Sequence, residues 1–477
     1  MRLSVAMIAV LVLAFTGTST ISNGTVTPIR HVIVIMQENH SFDNYFGTYP
    51  TANGTLSGGV IAEIKKVNGL PNGTCLPYGK GCLSPYPANA DNTESPIEGH
   101  STYEDDYNSG MMDGFPTHSG PQSMAYFDYR QIPAYWDYAE EYGLAENYFA
   151  SALSTTNPNR LLLLSGDSPV SENYGPPPYT PYNGTVLGQL SSHGISWGYF
   201  DYLAQFGEGS NVIPINYLSG LSPSALSNVQ DISAFFGYLE GGGDLPAVNF
   251  VNAIGSDHLD EHPPSNVTAG EAWTVSLVNA IMCSRYWDSS AVFITYDEGG
   301  GYYDHVPPPE VLNIDHGFDR PLHGYGQRVP LLVISPYAKQ NYVSDTLLNH
   351  MSLLRFVDYN WNLSPLNGNV ANSNNLLDFF DFNSAPRGPI VLGEERPYTA
   401  LSFPISLQPT SSQPINLEAC SPVNQVSAPL PAYLSAIPVA IAAVVVVALL
   451  MRRKSRDRFT RVSVFSNTQW PRLLRQR

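Results

Sequence analysis

The sequence predicts an α/β domain built around a mostly parallel central sheet, and three observations carry that prediction. Residues 31–36, HVIVIM, form a continuous apolar run rather than an alternating one, as expected of a strand covered on both faces. Residues 291–295, AVFIT, repeat the pattern. Segments of strand and helix character alternate over about 400 residues, the order that builds parallel sheets through helical crossovers.

The elements follow in chain order. Residues 1–24 read as a secretory signal, with Arg2 ahead of an apolar stretch from Val5 to Phe15 and then small polar residues; an uncleaved N-terminal anchor is the alternative. The main domain spans 27–407. Residues 27–49 give the first strand and its loop, and the Gly/Pro/Asn-rich stretch 50–100 reads as an insertion or lid. Residues 130–150 read as a helix feeding a short strand, 160–164 as a short apolar segment, and 194–202 and 247–251 as further strands. A helix over 273–282 leads into strand 291–295, and a strand over 329–334 precedes a helix over 347–359. No internal repeat is present. Residues 408–433, rich in Pro, Ser and Gln, predict a stalk. Residues 434–451 are uncharged and just long enough to span a bilayer as a transmembrane helix. Arg452, Arg453, Lys454, Arg456 and Arg458 follow at once and would hold the tail, 452–477, in the cytoplasm. The expectation is a single-pass type I cell-membrane protein with its large domain outside. A buried core helix is the alternative, disfavoured by the abrupt basic flank.

Charge divides along the same line. Past Met451 there are nine Lys/Arg and one Asp, which leaves 14 Lys/Arg against 40 Asp/Glu in the rest of the chain. Such an exterior excludes nucleic-acid binding by bulk electrostatics. Charged residues make up 13% of the chain, about half the usual share, which argues against halophilic solvation. A surface poor in bases gains little repulsion when its carboxylates protonate, so the composition points to an acidic exterior.

Four cysteines fit an oxidising compartment. Cys75 and Cys82 lie close enough for a local bridge, and Cys283 and Cys420 are the remaining pair, whose bonding the spacing does not show. No C-x-x-C spacing is present, so a thiolate zinc site is not expected. Sequons at Asn23, Asn53, Asn72, Asn183, Asn266 and Asn362 fit an exported glycoprotein.

Polar chemistry collects at four places. The first strand ends in Gln37-Glu38-Asn39-His40, where a carboxylate beside an amide offers oxygen ligands to a hard cation. The AVFIT strand runs into Asp297-Glu298, followed by three glycines and Asp304-His305. Two adjacent carboxylates at a strand end are costly to bury unless a cation or protons compensate. Thr155-Thr156-Asn157-Pro158-Asn159-Arg160 places hydroxyls at a turn, where a threonine is either a helix cap or a nucleophile activated by a metal or base. Asp260-Glu261-His262-Pro263-Pro264 is a loop whose histidine is ordinarily just solvated. Two hard-cation strand ends, a threonine turn and scattered histidines point together to metal-assisted phosphoryl transfer.

These segments resemble the phosphoesterase family of nonspecific phospholipases C and acid phosphatases. The resemblance rests on QENHSFDNYFG at 37–47, GHSTYEDDYNSGMMDGF at 99–115, ENYFASALSTTNPNR at 146–160, DEHPPSNVTAG at 260–270, ITYDEGGGYYDHVPPP at 294–309, and the stretch 328–358. It implies an alkaline phosphatase-like three-layer sandwich as the fold and a catalytic role for residues 27–407. It further implies that Glu38, Asn39, Asp297 and Glu298 bind a divalent metal. Oxygen ligands favour Ca²⁺, Mg²⁺ or Mn²⁺ over zinc, and one ion over two. Thr156 would be the nucleophile, forming a phospho-enzyme that water hydrolyses. His100 and His262, with Asn39, would hold phosphate oxygens, and the two histidines would supply the general acid. Asp304 and His305 would orient their loop, and His350 would cap or orient a helix near the site.

The chain departs from the family where Ser154-Thr155 precedes the nucleophile, which leaves Thr155 adjacent to it, and His118 competes with His100. The expected substrate is a phosphate monoester or diester, phospholipid included. Two other readings compete: a non-catalytic surface adhesion or structural glycoprotein on the same fold, and a sulfatase. The intact ligand set argues against the first. The second needs a Cys or Ser in a formylglycine context, which the sequence lacks.

Overall fold

The computed structural model describes residues 24–49, 67–173, 179–201, 214–253, 258–318 and 320–393. The signal, stalk, span and tail expected at 1–24 and 408–477 lie almost wholly outside these residues, as does the first part of the insertion, 50–66. Among the described residues no helix is long and apolar enough to cross a membrane.

Eight strands form the central sheet: β1 (His31–Gln37), β2 (Gly143–Ala145), β3 (Trp197–Asp201), β4 (Val229–Asp231), β5 (Val248–Asn252), β6 (Ser290–Tyr296), β7 (Leu331–Ile334) and β8 (Tyr342–Ser344). Their spatial order is β4-β3-β5-β1-β6-β7-β2-β8, and β7 alone runs against the rest. The two apolar runs are the neighbouring central strands β1 and β6, paired in parallel from His31 opposite Ser290 to Gln37 opposite Tyr296. Both are buried along nearly their whole length, which is why neither alternates. Each Val or Ile so buried contributes about 1.5–3 kcal/mol relative to exposure.

Helices cover both faces. Val34 and Met36 of β1 line a small cavity together with Leu163 and Leu164 of α4 (Thr156–Ser165) on one face. Gln37, pointing the other way, donates to Thr274 of α7 (Val267–Met282). The sheet is therefore the middle of three layers. α1 (Phe42–Phe46) follows β1, α2 (His100–Tyr107) follows the insertion, α3 (Pro133–Glu141) feeds β2, α5 (Val186–Ser192) precedes β3 and α6 (Ile232–Leu239) follows β4. α8 (His350–Asn360) packs on α4 and starts at a capping box between Asn349 and Ser352.

Most predicted elements are present within a few residues. The segment 160–164 is not separate but the middle of α4, whose apolar face the short window concealed. The helix expected from 347 begins at His350, because Leu348–Asn349 pairs as a strand with Tyr148–Phe149. Strands β4 and β8 and helices α5 and α6 had no sequence counterpart; the strands are three-residue edges and the helices seven or eight residues long. Within the described part of 50–100, Leu76–Tyr78 and Gly81–Leu83 form a hairpin stapled by the expected Cys75–Cys82 disulfide. Cys283 is also disulfide-bonded, and Cys420 lies outside the described residues.

A buried ion network locks the loops at the carboxyl ends of the strands. Arg328 is fully buried and donates to Asp304 Oδ1 at 2.9 Å and Asp43 Oδ1 at 3.0 Å. Its remaining donors reach the carbonyls of Asn68 and Glu146, and its guanidinium lies over the Phe42 ring. His305 donates its backbone N–H to Asp43 Oδ2 and holds the same oxygen through Nδ1 at 2.6 Å. Arg328→Met would leave two buried carboxylates without their counter-charge. The expected cost is about 3–5 kcal/mol, read as a lowered urea midpoint in equilibrium unfolding.

Candidate active site

The site is assembled by register. Because Gln37 lies opposite Tyr296, the next residues, Glu38 and Asp297, leave the sheet side by side. On the other flank of β1, Met36 lies opposite Asn252, the last residue of β5. A single side chain from α4 closes these three strand ends. Arg160 donates from Nη2 to Glu38 Oε1 at 2.6 Å, from Nε to Asp297 Oδ2 at 3.1 Å, and from Nη1 to Asn252 Oδ1 at 3.1 Å. Helix geometry puts residue i+4 on the face of residue i, so Thr156, the first residue of α4, shares its face with Arg160. The predicted carboxylates and the threonine turn are thus brought together.

The threonines are not spent on capping. Thr155 occupies the N-cap position without a capping hydrogen bond, and its hydroxyl is buried without a partner. The Asn157 N–H goes instead to Asn173 Oδ1. Thr156 is buried beside it.

Asn39 turns the chain with φ at 66°, and its N–H donates to Asp297 Oδ1 at 3.3 Å. The same oxygen accepts the Glu298 N–H. Gly300, at φ 62°, lets the second strand end close against the first: a Cβ there would lie 2.3 Å from the Asn39 carbonyl oxygen. Glu298 Oε2 accepts the Gly300 N–H and the Tyr103 hydroxyl lies beside the same carboxylate, whereas Asn39 Oδ1 is buried with no partner.

Burial pushes the carboxyls of the cluster upward. Asp297 rises to about 6, with Arg160 opposing the rise, and Glu38 is raised for the same reason. Glu298 is raised well above the ordinary value by burial and by the neighbouring charges of Glu98 and Asp297. An unpartnered amide oxygen amid buried carboxylates is a donor set that a hard cation would use. Glu38, Asn39, Asp297 and Glu298 offer those oxygens at adjacent strand ends, with Arg160 already on one oxygen each of Glu38 and Asp297, and their carboxylates do not draw together as tightly as the next group does.

A tighter group, Asp43, Asp304 and His305, brings three ligand atoms within 4.8 Å of one another and is a second possible cation site by distance alone. Arg328 bonds one oxygen of each carboxylate, which leaves one guanidinium against two acids. Asp304 also accepts the backbone N–H groups of Asp43 and Val306, and His305 bonds Asp43, so the group ties this loop to α1.

The histidines separate. His262 stands at the rim, with its side chain 36% exposed and Nε2 3.7 Å from Glu98 Oε1. Its Nδ1 donates to the Pro263 carbonyl at 2.8 Å, so the proton carried on Nε2 faces the cluster. Burial opposes its charge, but the Glu98 contact and the Glu38 carboxylate outweigh that and push its pKa up to about 11. His100 is buried and turned elsewhere, with Nδ1 toward the Ser171 carbonyl and Nε2 3.3 Å from Glu104. It is linked to the threonine turn through Ser171, whose carbonyl also accepts Ser154 Oγ. His118 is exposed beside Asp105. His350, at the start of α8, lies 2.9 Å from the Tyr296 carbonyl through Nε2 and accepts the Ser151 N–H at Nδ1. Burial lowers it to about 4, so it is a neutral brace between strand end and helix.

Sequence reasoning missed Arg160, Asn252 and Glu98. Arg160 closes the 146–160 motif, and its spacing of four from Thr156 was the available clue. Glu98 accepts from Asn39 Nδ2 at 2.9 Å and from Ser95, yet it comes from an aperiodic loop with no local signature. Asn252 needed the strand register.

Several known proteins are similar to this chain. The Phosphoesterase family model matches residues 29–364. Non-hemolytic phospholipase C of Burkholderia pseudomallei is 28% identical over 404 residues, covering 71% of this chain and 56% of that protein. Phospholipase C B of Mycobacterium tuberculosis is 27% identical over 387 residues, covering 70% and 73%. The chain spans about half the length of the first of these curated relatives. Among solved structures, a protein of the alkaline phosphatase superfamily from Vibrio parahaemolyticus aligns at 12% identity with a TM-score of 0.31, covering 57% of this chain and 67% of that one. The family model's extent, over some two thirds of the sequence and across every strand end that builds the site, decides the assignment: the chain belongs to the phosphoesterase family.

Proposed function

We propose that the protein is a divalent metal-dependent phosphoester hydrolase that works through a phosphothreonine at Thr156, and that it acts on the outer face of a cell membrane, tethered by residues 434–451. The observation that carries the reaction is the convergence of Glu38, Asp297 and the Thr156 helix on one guanidinium. The cation held by Glu38, Asn39, Asp297 and Glu298 would supply Lewis acidity, favouring the ionised hydroxyl and offsetting phosphate charge. Thr156 Oγ1 attacks phosphorus, its bond to phosphorus forms, and the ester bond to the leaving oxygen breaks. His262 delivers its Nε2 proton to that oxygen; water then attacks the phosphothreonine, gives its proton back to His262, and the Thr156 Oγ1–phosphorus bond breaks to release phosphate and restore the ionised hydroxyl. Arg160 holds the carboxylates in place and balances their charge.

The relatives named phospholipase C favour a phosphodiester, phospholipid included, as substrate. Turnover of p-nitrophenylphosphorylcholine in preference to p-nitrophenyl phosphate by the protein would support that choice; the opposite preference would make it a phosphatase. Thr156→Ala is expected to lower kcat by about 10⁴-fold or more, whereas Thr155→Ala should cost under about tenfold. Equal hydrolysis by wild type and Thr156→Ala would favour the adhesive, non-catalytic reading.

Protons compete with the cation for carboxyls whose ionisation burial has delayed. Asp297 ionises near 6, so affinity should weaken as pH falls through that value, by about tenfold per pH unit for each proton displaced. Calorimetric titration of Ca²⁺ or Mn²⁺ into chelator-treated protein at pH 5, 6 and 7.5 measures this, and an affinity independent of pH would contradict the ligand assignment.

A further inference from the structure

The mechanism leaves several buried acidic groups without a role, and one of them adjoins His262. Glu261, next to His262, is fully buried at φ 66°, a backbone conformation that side-chain-bearing residues rarely adopt. Burying a carboxylate costs several kcal/mol unless its oxygens are fully satisfied. Here they are. Oε2 accepts the hydroxyls of Tyr45 at 2.6 Å and Tyr296 at 2.7 Å, and Oε1 accepts the hydroxyl of Tyr135 and Nε2 of Gln37. The four donors come from α1, β6, α3 and β1, the elements that surround the site. Gly270 leaves room for the side chain, since a Cβ there would lie 2.2 Å from Glu261 Cγ.

The backbone on either side is pinned as well. The Asp260 carbonyl accepts the Glu38 N–H at 2.9 Å, and the Glu261 carbonyl lies 2.9 Å from His40 Nε2. His262 follows directly, with its imidazole at the rim.

We propose that Glu261 is a positioning residue for His262: its carboxylate, clasped by three tyrosine hydroxyls, fixes the loop that presents the imidazole to the departing oxygen. A neutral apolar residue would fill the space without the desolvation cost, but it would not tie the loop to four separate elements. The inference rests on the phosphoesterase reading and on His262 as general acid.

Leaving-group dependence separates positioning from mere stability. Protonation matters for a basic leaving oxygen and little for an acidic one. Wild type, Glu261→Gln and the milder Tyr135→Phe are assayed on phenyl and 2,4-dinitrophenyl esters of whichever headgroup, phosphate or phosphorylcholine, the wild type turns over. Glu261→Gln replaces one acceptor oxygen by a donor facing hydroxyl donors, so the loop shifts. The comparison is made in kcat/KM, which reports transfer to Thr156 and not the later hydrolysis common to both esters; the expected loss is about 10²-fold on the phenyl ester, the size of effect a misplacement of about 1 Å produces. On the dinitrophenyl ester it should be under about threefold. Tyr135→Phe should move the same way by a smaller factor, and it decides the matter if Glu261→Gln does not fold. Equal losses on both esters, or none, overturn the positioning role. A wild type inert toward both esters would instead overturn the phosphoesterase reading itself.

Discussion

The site depends on one guanidinium. Burial raises the carboxyls of Glu38 and Asp297, and Arg160 supplies the charge that lets them approach ionised at adjacent strand ends. Its third bond, to Asn252, ties in the far flank of β1. Because Arg160 rides on the helix that begins at Thr156, the same contacts fix that helix against the sheet. Paired charges in a low-dielectric interior are favourable only when geometry is well matched, and here the match follows from parallel register, which leaves neighbouring strands ending level.

Two arginines in this molecule illustrate how satisfaction distinguishes structure from chemistry. Around Arg328 the acceptors are taken: Asp43, Asp304 and two carbonyls each receive a donor. Around Arg160 they are not all taken, because Asn39 Oδ1 is buried with nothing to accept. A saturated cluster holds loops together, and one with an open acceptor is where the proposed cation would sit. Distance alone would have ranked the first above the second as a metal site.

The central sheet was legible because β1 and β6 are buried on both faces, and a strand wetted on either face would have interrupted the apolar run with polar residues. The edges were not, since a three-residue strand such as β4 is made by its neighbour rather than by its own side chains. Within the site, Glu38, Asn39, Asp297 and Glu298 announced themselves by following those runs. Arg160 and Asn252 became visible only through register, and Glu98 only through the path of an irregular loop. His100 shows the reverse: a motif placed it in the site, but its ring nitrogens are engaged by the Ser171 carbonyl and by Glu104 of its own helix.

Glu98 reaches Asn39 and His262 from a segment that contributes no strand to the central sheet, closed on itself by its own hairpin and disulfide. Scaffold and hairpin are therefore separable parts. Changes confined to the hairpin, Leu76–Leu83, leave β1, β6, Arg160 and the Asn68 carbonyl that accepts from Arg328 untouched. Such modularity gives the protein a stretch of chain free to diversify, since variation there does not have to be reconciled with folding of the central sheet.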